Sequence, residues 1–146
     1  MENDHKDTRW GQGFANFKKA FGQLEKFVNH GSLNEMEEQG LIKAFEYTYE
    51  LGWKTLQDLL AHKGYQGITG PKPVIEQCFS DGYIADGKGW ARIQKSRNLT
   101  SHTYNDKTAR EIVIGIKSEY VKLLQDLNLK LEAERSGNQG AIFEGE

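Results

Sequence analysis

The run SRNLTSHTY, residues 96 to 104, sets Arg97, Asn98, His102 and Tyr104 close together in the chain. Each type suits one part of phosphate chemistry: a guanidinium holds a phosphate through paired donors, an imidazole exchanges protons near neutral pH, and an amide orients either. At about 3.6 residues per turn, Asn98 and His102 share a helical face, as do Arg97 and Ser101, whereas Arg97 and His102 diverge by about 140°. One regular helix would not aim both at one atom. A site built from them needs a bend after Ser101 or a second subunit. On spacing alone the same residues also suit a solvated helix end.

Other chemistries find less support. His5, His30, His62 and His102 are scattered, and no HExxH is present, so no metal site is expected. Cys78 is the single cysteine; it has no CxxC partner or neighbouring histidine and reads as a small apolar side chain on a helix face. Glu46 and Glu50 lie one turn apart and read as a solvated or capping face rather than an acid pair. The glycine-containing runs GYQGITGPKP and DGYIADGKG lack a GxxxxGK[ST] pattern and follow no strand, so they read as turns. No cofactor is expected.

The chain has 146 residues, enough for one domain, and a net charge of −2. Charge is uneven along it. Lys88, Arg92, Lys95, Arg97, Lys107 and Arg110 stand against Asp106 alone, whereas Ser32 to His62 carries six acids against Lys43 and Lys54. The basic stretch is either a solvated face or a phosphate-binding surface. With one cysteine, no signal-like segment and no membrane-length apolar run, the expected location is the cytoplasm.

The elements that must position these residues are helical. Phe14, Phe17, Phe21, Leu24 and Val28 form one face of a first helix, which His30 and Gly31 end. Ser32 or Asn34 can cap a second, striped by Leu41, Phe45, Thr48, Leu51, Thr55, Leu56 and Leu59 and closed by Gly64. A short helix over VIEQCF follows, stopped by Gly82, and then one carrying Trp90, Ile93 and Leu99 to about Ser101. Asp106 or Thr108 can cap the last helix, whose stripe runs from Ala109 through Ile112, Ile116, Tyr120 and Leu127 to Leu131. The expectation is an all-α, up-and-down bundle of four long helices and one short one over residues 10–133. Residues 1–9 and 134–146 are expected to be flexible, with Ile142 and Phe143 able to dock on a partner.

RNLTSHTY resembles the RX4HXY motif of HEPN domains in HepT-type toxins. Beyond the motif, FEYTYELGWKTLQDLL, GITGPKPVIEQCF and GWARIQKSRN resemble the related nucleotidyltransferase substrate-binding proteins, so the likeness spans roughly residues 14 to 130. The resemblance implies a HEPN-like bundle that forms a homodimer and complexes with a minimal nucleotidyltransferase. In the ribonuclease branch it implies metal-independent RNA cleavage by Arg97 and His102, and Tyr104 as the acceptor of AMP from the partner enzyme; Asn98 stands beside them as a supporting residue by its chemistry. In the other branch it implies a non-catalytic subunit that binds a substrate or nucleotide. The second-helix and loop sequences favour the binding subunit; the intact Arg97, His102 and Tyr104 keep the ribonuclease toxin as the alternative.

Overall fold

The structure, a computed structural model, describes the backbone of residues 2–144 and the side chains of residues 9–137. It is all helix, with no strand among the described residues: α1 (Glu2–Asn29), α2 (Glu35–His62), α3 (Pro71–Ser80), α4 (Gly87–Leu99), a 3-10 turn (Thr100–His102), α5 (Asp106–Gly115), a π turn (Ile116–Tyr120) and α6 (Val121–Glu144). Since α5, the π turn and α6 form one unbroken rod, the bundle has five helices. Helical backbone continues past both ends of residues 10–133. The side chains of Ile142 and Phe143 fall outside those described.

Local signals set most boundaries. The Asn34 side chain accepts from the Glu37 amide at 2.8 Å while the Glu37 carboxylate accepts from the Asn34 amide at 2.8 Å, satisfying two otherwise orphaned donors at the start of α2. Gly31 and Gly64 adopt φ of 92° and 105°, which lets the chain leave α1 and α2 without Cβ strain. The short helix starts earlier than VIEQCF because Pro71 occupies its first turn, where a missing N–H costs nothing. The last helix is capped by Asn105 rather than Asp106 or Thr108: its side chain accepts from the amides of Lys107 and Thr108.

The core begins as an aromatic ladder on α1. Trp10, Phe14, Phe17 and Phe21 are buried, with successive rings 6.1 to 6.4 Å apart. They face Leu41, Phe45, Leu56 and Leu59 of α2, and α6 closes the layer with Leu124, Leu127 and Leu131. Gly52 permits this three-helix meeting, since a Cβ there would press within 3.2 Å of Phe17 and 3.4 Å of Leu127. The π turn lies where Tyr120 packs against Gly115, stacks on Phe45 with centroids 5.5 Å apart, and meets the Ser96 hydroxyl at 2.7 Å. Those contacts tie the rod to α2 and to α4, one residue before Arg97.

Cys78 faces this core fully buried, and burial, with a smaller push from the Asp81 charge, raises its thiol to about 12. A thiol-specific reagent at neutral pH is therefore expected to leave the folded chain unlabelled and to label it fully in denaturant. Rapid labelling of the native chain, read by mass, would contradict the burial.

Candidate functional site

The motif spans a break between helices. Regular α4 stops at Leu99, and the chain tightens into the 3-10 turn before Ser101, earlier than the bend the spacing called for. Thr100 is buried, and its hydroxyl donates to the Arg97 carbonyl at 2.7 Å, beside the bond that carbonyl accepts from the Thr100 amide. The Thr103 hydroxyl lies 3.3 Å from both the Thr100 carbonyl and Gln39 Oε1, with one proton to give to either, which links the turn to the start of α2.

Arg97 is half-buried and held against α2. Its Nε donates to Glu50 Oε1 at 3.0 Å, its Nη1 donates to Thr100 Oγ1 at 3.1 Å, and Nη1 lies 3.9 Å from Glu46 Oε2. The other Glu50 oxygen accepts from Trp53 Nε1 at 3.1 Å, and Lys43 stands 4.0 Å from Glu46. Glu46 and Glu50 are thus not a merely solvated face; they receive the guanidinium of a residue far along the chain. Nearby, Tyr49 donates its hydroxyl to Gln94; burial first, and then the Glu50 charge, hold that phenol far above its ordinary pKa, so it stays protonated.

His102 and Tyr104 stand apart from this clamp. Both are exposed, Tyr104 at 83%. His102 Nδ1 lies 3.4 Å from the Tyr104 hydroxyl, and the rings meet edge to face with centroids 5.9 Å apart. Asn98 is exposed on the last turn of α4. Among the described residues no hydrogen bond or ring contact joins Arg97 to His102. The basic stretch is partly neutralised: Arg92 pairs with Glu119 at 2.7 Å, while Lys88, Lys95, Lys107 and Arg110 stay exposed. Beside the turn, Met36, Gln39, Asp106, Ala109 and Arg110 border an open hollow of about 350 Å³.

Arg97, His102, Asn98 and Tyr104 were legible as candidates from the motif; Glu50, Trp53, Glu46 and Gln39 were not. The available signal for the first three was a pair of acids and an indole at one-turn spacing on α2. No three His, Cys, Asp or Glu among the described residues are grouped so as to hold a metal ion, and no helix among them is long and apolar enough to cross a membrane.

Residues 12–133 match the family described as nucleotidyltransferase substrate binding protein like. A Haemophilus influenzae protein described as a probable ribonuclease HepT is 30% identical over 104 residues, 68% of this chain and 68% of that protein. A solved structure from Haemophilus influenzae, described as revealing the fold of a substrate binding domain of a nucleotidyltransferase, superposes with a TM-score of 0.63 at 22% identity, covering 86% of this chain and 98% of that one. That last likeness speaks to the fold.

Proposed function

Starting from the premise that this chain belongs to the family of nucleotidyltransferase substrate binding proteins, we propose that it is a binding subunit of a minimal nucleotidyltransferase in the cytoplasm. Its task is to hold a phosphate-bearing substrate, a nucleotide or RNA, at the turn carrying Arg97, His102 and Tyr104, with Asn98 in support. The observation that carries this reading is the separation within the turn: Arg97 is fixed on α2, whereas His102 and Tyr104 project into solvent. Binding needs only a fixed donor fork and a ring on which a base can stack. Cleavage would need His102 within hydrogen-bond reach of the phosphate that Arg97 holds.

A second reading, a metal-independent HEPN ribonuclease toxin, is favoured by the contact between His102 and Tyr104 and by the relative described as a probable ribonuclease. It requires a homodimer in which the second copy brings His102 to Arg97. Then His102 assists attack of a ribose 2′-OH on the adjacent phosphate, and Arg97 steadies the charge of the phosphorane.

One experiment separates the two. The chain is mixed with a purified minimal nucleotidyltransferase and sized by light scattering, and separately incubated with RNA in a metal chelator. A stable hetero-complex with intact RNA is expected. Cleavage that leaves cyclic phosphate ends and disappears in both His102→Ala and Arg97→Ala would replace the binding reading with the ribonuclease.

A further inference from the structure

We propose that Glu50 is a positioning residue for Arg97, turning an otherwise mobile side chain into a fixed phosphate-binding fork; the inference rests on the binding reading above and adds to it the group that orients the ligand contact. Three groups surround the guanidinium: Glu46 Oε2, at 3.9 Å from Nη1, is too far for a hydrogen bond, and the two that do bond to it, Glu50 and Thr100, are themselves fixed. Glu50 is anchored from behind, because Trp53 Nε1 donates to the oxygen that Arg97 does not use. Thr100 accepts from Nη1 while its own proton is committed to the Arg97 carbonyl. Nε and one Nη1 hydrogen are therefore occupied, leaving Nη2 and the second Nη1 hydrogen for two parallel bonds to one phosphate group.

Charge does not forbid an anion here. Arg97 and Lys43 offset Glu46 and Glu50, so the cluster sums to zero formal charge. What Glu50 supplies is geometry, and only a carboxylate can supply it. Both oxygens of Glu50 accept from N–H donors, so a glutamine at this position must turn its NH2 toward either Arg97 Nε or Trp53 Nε1, and one of the two bonds is lost.

This gives a test in which orientation and charge predict opposite signs. Binding of two probes, ATP and a fluorescent single-stranded RNA oligonucleotide, is measured on the full chain by calorimetry and by anisotropy, with circular dichroism confirming the fold of each variant. If charge alone mattered, Glu50→Gln would tighten an anion by removing a carboxylate. Positioning predicts the reverse, weakening by roughly tenfold, the scale of a charge-assisted hydrogen bond left unmade. Trp53→Phe, which changes no charge and does not touch the ligand fork, should weaken binding by roughly threefold. Arg97→Lys should behave like Arg97→Ala, because an ammonium has no Nε to hold.

Unchanged or tighter binding in Glu50→Gln, or in Trp53→Phe should the first variant fail to fold, overturns the positioning role while leaving Arg97 as the ligand contact. Unchanged binding in Arg97→Ala, or no binding of either probe to the native chain, removes the binding reading itself and this inference with it. Response to one probe alone supports the inference and identifies the source of the phosphate.

Discussion

Phe45→Ala is expected to lower the free energy of unfolding by about 3–5 kcal/mol, the range for removing a fully buried aromatic ring. Against a usual total of about 5–15 kcal/mol, that is enough to threaten the fold. The site explains why the loss should fall at the upper end. Phe45 supports Tyr120 at the π turn, where the rod departs from regular helix, and Tyr120 in turn meets Ser96 beside Arg97. The void left by alanine cannot be filled by small shifts of α2, because Gly52 already brings that helix against Phe17 and Leu127. Urea titration followed by circular dichroism measures the loss. A decrease below about 1 kcal/mol would mean that the ring is not the keystone its burial implies.

How much of this was legible in the sequence depends on how local each determinant is. The start of α2 was readable because Asn34 and Glu37 satisfy each other's backbone across one turn, an interaction contained in four consecutive residues. The cap of the last helix was not. Asp106 and Thr108 are sound caps by type, but Asn105 takes the role because it is the residue left with an extended backbone, φ −87° and ψ 116°, once the 3-10 turn has ended. Where that turn ends depends on Thr103 meeting Gln39, 64 residues away on α2. The π turn was equally hidden, since the apolar stripe from Ala109 to Leu131 tolerates one extra residue in a turn.

The site divides along the same line. Residue type and motif identified Arg97, Asn98, His102 and Tyr104 as a set, whereas Glu50, which accepts from Arg97 Nε, lies 47 residues away on another helix. Helical spacing describes only which face of its own helix a residue occupies. Glu46 and Glu50 therefore looked solvated, and only the packing of α4 across α2 reveals that an arginine meets them. Exposure at a junction is likewise a tertiary property. A tyrosine between two helices more often packs its ring than extends it, yet Tyr104 is among the most exposed large side chains described.

That exposure motivates the prediction about Tyr104, the residue for which the resemblance to the toxin branch implies an AMP acceptor. On incubation with a minimal nucleotidyltransferase partner, ATP and magnesium, the chain is expected to gain the mass of an AMP group, and Tyr104→Phe to gain none. The chemistry fits the surface as it stands. The phenol oxygen attacks the α-phosphorus of ATP, pyrophosphate departs, and the phenolic proton passes to His102 Nδ1, 3.4 Å away, when that nitrogen is the unprotonated one. His102→Ala should then slow the modification without preventing it, by roughly the hundredfold typical of a lost proton acceptor. Once attached, the nucleotide places a negative phosphodiester within the exposed basic stretch of Lys107 and Arg110, and its base is bulky enough to cover the turn. Binding of the RNA probe should fall accordingly in the modified chain. An equal mass gain in Tyr104→Phe, or none in the native chain, would remove Tyr104 from this role and leave it an exposed ring beside His102, available for stacking only.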